Sequence, residues 1–434
     1  MRLVILWLIW LQASLLFAQA TPTFVVSGKS RKEPAAPAEL TLEKALELAM
    51  AHPELSAAAA ETRAAEGQVR QAGYRPNPTL NLQAENWRFF GDPAFDASED
   101  LDVFAYLSQT FETGGKRSRR IASALEDRRL ADAARSVRAW QIRQEVRQAF
   151  VRALLSQGLE SLARDNQRYF DQVVEYHRIQ VEQGRLPEAD LIKVQLESAR
   201  LALDAETAAL ETERSRQILW QAIGLGGPAP AYRLADQPAA PSGAPVQDPA
   251  ELQRRARTAR AEMQLAQARM DIAQARLDLE RTLAKPDWTV SFGYKRASGF
   301  NAFLAGVSVP LPFFARNEGN IHSRSEELSG AQFQQHAQAV RVDGEVDAAW
   351  TALARRRSMQ AQLRREVLDR ARQSWDIALA TYQEGGIDLL RLLDARRALA
   401  DSQLLDLRLG MECRLGQLEL EAAVGEENLN LATD

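Results

Sequence analysis

The chain is poor in the residues from which compact chemical sites are built. Cys413 is its only cysteine, so no disulfide closes within the chain and no thiolate cluster holds a metal. Four histidines, His52, His177, His322 and His336, are scattered, and none stands four residues from another as a helical ligand pair would. A formal charge of −4 over 434 residues gives no electrostatic reason to expect nucleic acid as a partner. No set of residues resembles a catalytic constellation, so an enzyme, a metal site and a bound cofactor are all unexpected. Beyond the N-terminus no apolar run is long enough to span a bilayer as a helix.

What is present is Ala, Leu, Gln, Glu and Arg in abundance beside only 7% aromatics, the composition of long packed helices. At the start, Arg2 precedes the apolar "LVILWLIWLQASLLF" and the small residues Ala18 and Ala20, which is the pattern of a secretory signal peptide over residues 1–20. Its apolar run falls short of the roughly 20 residues of a membrane anchor. Export from the cytoplasm is therefore expected. Residues 21–40 read as a flexible leader.

A Pro-, Gly- and Ala-rich stretch, residues 224–248, divides the chain, and the parts on either side are alike. "HPEL" (His52–Leu55) recurs as "RAEM" (Arg260–Met263) at an offset of 208, which Pro78 and Pro286 share. Ser108 and Ser308 are 200 apart, as are Phe150 and Trp350, and Gly184 and Gly385 are 201 apart. Such self-similarity is an internal duplication, with repeats over 41–223 and 249–425 and a tail over 426–434. Each repeat begins with a helix (His52–Tyr74 and Pro249–Leu283) that leads to two runs alternating with a period of two. These runs predict β-hairpins over 79–110 and 287–310. Proline-free stretches then predict helices over 117–183 and 315–384, the first roughly 100 Å long at 1.5 Å per residue. Shorter helices follow over 187–223 and 387–424, so the chain reverses at Gly184 and Pro187, and again at Gly385 and Gly386. Ala139, Ile142, Val146, Ala149 and Ala153 alternate steps of three and four, a 3.5-residue seam along which helices pack.

An exported chain with four one-sided strands must cover their apolar faces. Two hairpins cannot close a barrel, and unpaired edges are untenable in lipid, so one reading has several copies pooling their strands. Trp288, Phe292, Tyr294 and Phe303 would then contribute to an aromatic girdle. In the other reading the hairpins form a small soluble sheet that caps a helical bundle.

"FETGGKR" (Phe111–Arg117) resembles a phosphate loop at first sight, but that motif needs a glycine where Thr110 stands and a Ser or Thr where Arg117 stands. Gly114 and Gly115 instead mark a hinge from strand to helix. In the second repeat Pro310 and Pro312 occupy the same place and remove backbone donors where the ladder ends.

The duplicated helix–hairpin–helix plan, with "HPEL", "YRPNP", "QTFETGGKR", "VPLPFFARNEG" and "YQEGGIDLLRLLDA", resembles the TolC outer-membrane efflux family over residues 41–425, and "FETGGKR" its CzcC-type, heavy-metal branch. The resemblance implies a mainly α fold with β, in a homotrimer. Its twelve strands would form an outer-membrane barrel above a periplasmic α-helical barrel. It also implies a Gram-negative outer-membrane location and a passive conduit, together with a periplasmic adaptor and a proton-driven inner-membrane pump of the resistance–nodulation–division type. Heavy-metal cations are the implied cargo; drug or solvent efflux and type I secretion use the same fold. A soluble coiled-coil adaptor is the reading from another class. Carried over by position, the periplasmic gate falls at Tyr382 with Asp190 as its polar partner, and at Arg391 and Asp394. Asp394 keeps the family's carboxylate, whereas Arg391 departs from it, one turn away, where an ion pair would neutralise the charge.

Overall fold

The computed structural model describes residues 39–87, 90, 95–235, 248–427 and 429; the proposed signal peptide and residues 21–38 of the leader lie outside them. The first repeat comprises β1 (Glu39–Leu40), α1 (Leu42–Ala49), α2 (Pro53–Ala72), β2 (Thr79–Glu85), β3 (Asp102–Phe111), α3 (Lys116–Glu182) and α4 (Glu188–Ala222). After β4 (Arg233–Leu234) the second comprises α5 (Pro249–Ala259), α6 (Ala261–Leu283), β5 (Trp288–Ala297), β6 (Phe300–Ser308), α7 (Glu318–Leu363), α8 (Asp369–Gln383) and α9 (Leu389–Val424). Local chemistry sets the helix starts. Thr41 caps α1 by accepting from the Lys44 amide, and Asp248 caps α5 by accepting from the Ala250 amide, with Pro249 at the first turn where no amide is missed.

The matched seam is the core. Ile142, Val146, Ala149 and Ala153 are buried along α3, and Val342, Val346 and Leu353 along α7. Leu252, Ala256, Leu420 and Val424 close over the second set. Along α3, α2 covers the first half, where Arg138 pairs with Glu54, and α4 covers the second, where the Ser156 and Ser215 hydroxyls meet at 2.8 Å. The two short helices abut end to end: Gly224, just past α4, lies so close to His52 and Pro53 that a side chain there would collide with both. The second repeat reproduces the joint, since a Cβ on Gly425 would sit 2.9 Å from Arg260 Cγ.

Several boundaries correct the expectations from sequence. Glu39 and Leu40 are not a flexible leader; they pair in parallel with Arg233 and Leu234, inside the linker, and Leu40 is fully buried. The helix expected over Pro249–Leu283 breaks at Arg260, whose extended backbone (ψ 129°) ends α5 and opens α6. The rod expected over 315–384 starts only at Glu318 and carries a π-helical turn at Arg364–Leu368. That turn has a reason in the repeat arithmetic, because the offset rises from 200 at Phe150/Trp350 to 201 at Gly184/Gly385. The extra residue is absorbed by one widened turn, and the seam stays in register on both sides. Pro187 lies just outside α4 as its N-cap residue rather than within the helix, and the last helix starts at Leu389 rather than at 387. The tail is partly anchored: Arg143 grips Glu427 through two 2.8 Å bonds, and Leu429 is buried.

The hairpins lie side by side in one antiparallel sheet of order β2-β3-β5-β6. The β5–β6 connection is a two-residue turn with positive φ at Ser298 (50°) and Gly299 (78°), the twist that suits a tight hairpin. β5 therefore runs on through Lys295 and Arg296 to Ala297, directly before the turn. Asp102 ties the two hairpins together at that end, accepting from Asn86 Nδ2 at 2.6 Å and from the Ser298 amide at 2.7 Å.

Candidate functional site

Two features of this fold have functional content: the two-faced sheet and the pair of helix tips. Across the sheet the register aligns Leu80, Leu107, Phe292 and Ala305 in one row, and Leu82, Ala105, Tyr294 and Phe303 in the next. These side chains share one face, and Leu80, Leu82, Leu107, Phe292 and Phe303 are exposed on it. The Phe292 and Phe303 rings stack at 6.0 Å. The opposite face carries a set of polar side chains bonded to one another, beside Phe104, Tyr106 and Leu304. Asn81 donates to Ser108 at 3.0 Å, the Ser108 and Ser291 hydroxyls meet at 3.0 Å, and those of Thr110 and Thr289 at 3.1 Å. The face turned away from the hydrogen-bond network is thus the greasy one, the reverse of a sheet that caps a soluble core. The outer edges of β2 and β6 pair with nothing among the described residues.

The hinges below the sheet are each fastened to the end of α6 or to the segment that follows it. Gly114 (φ 64°) and Gly115 (φ 79°) adopt left-handed backbone, and a Cβ on Gly114 would meet Lys285 Cδ at 2.5 Å. Lys116, buried, reaches Asp287 at 2.8 Å, and the Thr113 amide donates to the same carboxylate oxygen at 2.9 Å. In the second hinge Pro310 and Pro312 are exposed, and Asn317 (φ 62°) plays the part of Gly115 at the start of α7. Its side-chain amide donates to the Glu280 carbonyl at 3.0 Å.

At the far end both long helices stop in the same way. Gly184 (φ 67°) donates to the Val181 carbonyl at 2.9 Å and Arg185 to that of Gln180 at 2.9 Å. Gly385 (φ 73°) donates to Tyr382 at 3.0 Å and Gly386 to Thr381 at 2.8 Å. Each is the paired-bond C-terminal motif that a left-handed glycine makes possible. Between the tips, Tyr382 lies 3.1 Å from His177 Nε2, and His177 Nδ1 lies 2.9 Å from the Val173 carbonyl. Burial, with Tyr176 and Asp190 nearby, raises the Tyr382 hydroxyl above its ordinary value and keeps it protonated. Higher along the bundle the Arg396 guanidinium lies 4.7 Å from the Tyr169 ring centre and 5.4 Å from that of Trp375, and donates to Asn166 at 2.7 Å.

Comparison with known proteins decides what this architecture is. The family model described as "Outer membrane efflux protein" matches residues 45–225 and 252–426, once on each repeat. The chain belongs to the outer membrane efflux protein family. It is 30% identical over 369 residues to the cobalt-zinc-cadmium resistance protein CzcC of Cupriavidus metallidurans, covering 84% of this chain and 85% of that one. To the nickel-cobalt-cadmium resistance protein NccC of Alcaligenes xylosoxydans it is 26% identical over 316 residues, covering 71% and 68%. The crystal structure of the outer membrane protein VceC of Vibrio cholerae shares the fold, with a TM-score of 0.69 at 19% identity over 89% of this chain and 96% of that one.

Within this efflux protein the expected gate residues are only partly brought together. Tyr382 sits at the tip, but its hydroxyl bonds His177, while the Asp190 carboxylate takes Lys193 at 3.1 Å. Arg391 and Asp394 are exposed, and the ion pair expected between them is not formed; Asp388 instead caps α9 at the Arg391 amide. The sequence did carry a sign of His177. It continues the 3.5-residue seam from Ala153 through Phe170, a position where a polar residue must find a partner.

Proposed function

We propose that three copies of this chain pool their sheets into a twelve-stranded barrel in the outer membrane of a Gram-negative bacterium. The helices of the three copies form a tunnel reaching into the periplasm. The observation that carries this reading is the sheet: one contiguous exposed apolar face, a second face with a row of bonded hydroxyls, and two edges unpaired among the described residues. Edges and face are satisfied together only when neighbouring subunits extend the ladder and lipid covers the outside. The conduit is passive, and energy enters at an inner-membrane pump of the resistance–nodulation–division type through a periplasmic adaptor. The names of CzcC and NccC support divalent heavy-metal cations as cargo. The helix tips form the periplasmic gate, with Tyr382, Asp190, Arg391 and Asp394 at the constriction. Asp394 from three subunits attracts cations into the passage, and Arg391 one turn away moderates that field.

The test has two arms. Outer-membrane fractions are run with and without heating: a heat-modifiable trimer is expected, and deletion of residues 287–310 abolishes insertion while helix content stays high. A soluble monomer would refute the assembly. Cobalt, zinc and cadmium tolerance is then measured in a host carrying the cognate pump and adaptor. Tolerance to drugs without tolerance to metals would refute the cargo.

A further inference from the structure

His177 is only 1% exposed, a degree of burial at which a polar ring needs partners. Both ring nitrogens are committed. The Val173 carbonyl only accepts, so Nδ1 carries the proton at that 2.9 Å contact. The neutral ring then offers Nε2 as an acceptor, and Tyr382 donates to it at 3.1 Å. The two rings lie nearly parallel, 20° apart, and Tyr176 meets the imidazole edge-on at 5.6 Å. His177 belongs to α3 and Tyr382 to α8, so this bond joins the tips of the two repeats beside the apolar cluster of Phe170, Val194, Trp375 and Leu392 that also spans them. The Arg396 stack on Tyr169 and Trp375 makes a second tie above it. The tyrosine that the proposed gate depends on is thus held within its own subunit by a histidine, not by the acidic residue expected from sequence.

We infer that His177 is the positioning residue of the gate: its Nε2 holds the Tyr382 hydroxyl in place at the constriction, and without that acceptor the closed state is less populated. This inference rests on the gate assigned under the proposed function. A histidine that only fills the core would affect stability and leave the constriction alone.

The experiment is single-channel recording of purified trimers in planar bilayers, with melting temperature measured in parallel. His177→Ala and Tyr382→Phe each raise the open population about three- to tenfold, the size of one net hydrogen bond, and the double variant opens no further than either single one. His177→Gln, whose amide oxygen takes the place of Nε2 as acceptor, retains the closed state. If Tyr382→Phe opens the channel while His177→Ala behaves as wild type, the role of His177 is overturned and the gate reading survives. If neither variant changes conductance, the gate reading fails and this inference with it. Should His177→Ala not assemble, the His177→Gln and Tyr382→Phe comparison decides alone: a His177→Gln channel as open as Tyr382→Phe overturns the acceptor role.

Discussion

Replacing Phe292 and Ser291 separately by arginine tests which face of the sheet meets lipid, because the two are neighbours on β5 and point to opposite sides. Phe292 is 60% exposed and lies mid-row between Leu107 and Ala305. If that row faces hydrocarbon, Phe292→Arg costs about 2–4 kcal/mol for the charge near the bilayer midplane. It also forfeits about 1.5–3 kcal/mol of phenylalanine burial. Threefold symmetry multiplies the sum to roughly 10–20 kcal/mol per trimer, as large as a typical fold's whole margin of about 5–15 kcal/mol. Ser291→Arg, by contrast, gives up the 3.0 Å contact with Ser108, worth about 0.5–1.5 kcal/mol, and sends its side chain into the aqueous interior. The assay is the yield of heat-modifiable trimer in the outer membrane. Loss of the trimer with Phe292→Arg and near-normal yield with Ser291→Arg are expected. Equal yields, or the opposite order, would refute the assignment of faces.

Three further outcomes follow from other parts of the molecule. Gly293 approaches β3 so closely that a Cβ would strike the Ala105 carbonyl and Tyr106, whereas Gly306 faces open space, so Gly293→Ala lowers trimer yield at a cost of about 1–3 kcal/mol per subunit and Gly306→Ala does not. Arg147 and Glu421 form a buried ion pair at 2.5 Å that joins α3 to α9; Arg147→Met strands the carboxylate and costs about 3–5 kcal/mol, and adding Glu421→Leu recovers most of the lost melting temperature. Tyr232 is buried, donates to the Arg216 carbonyl at 2.9 Å, and is pushed up to about 12 by burial from an ordinary value of 10. Its neutral form is favoured in the fold, so its contribution is fully present below pH 10 and is lost as pH rises toward 12. Melting temperature measured across that window falls less in Tyr232→Phe than in the wild type.

The repeat, the hairpins and the long helices were legible because each leaves a period in the chain: two for the strands, 3.5 for the seam, about 200 for the duplication. The π-turn at Arg364–Leu368 was recorded as a one-residue change of offset, although the change alone does not say where along the rod the residue is taken up. Composition hid the break at Arg260 because Ala and Arg on both sides are strong helix formers; only the alignment of Arg260 with His52, which opens α2, marks the place. The position of the tip glycines placed Tyr382 at the far end of the long helices. Its bonding was not legible, since the choice between Asp190 and His177 as partner of Tyr382 depends on how α3 and α8 are rotated about their axes. Lys116 and Asp287, similarly, are ordinary charges until the first hinge meets the junction between α6 and β5.

The two hairpins turn round very differently: Ser298 and Gly299 alone join β5 to β6, while residues 86–101 join β2 to β3. In the assembled barrel the cell exterior would therefore meet three copies of one substantial loop, all from the first repeat, alternating with three minimal turns. Insertions and substitutions are better accommodated in that sixteen-residue connection than in the Ser298–Gly299 turn, which is fixed by the geometry of its own backbone.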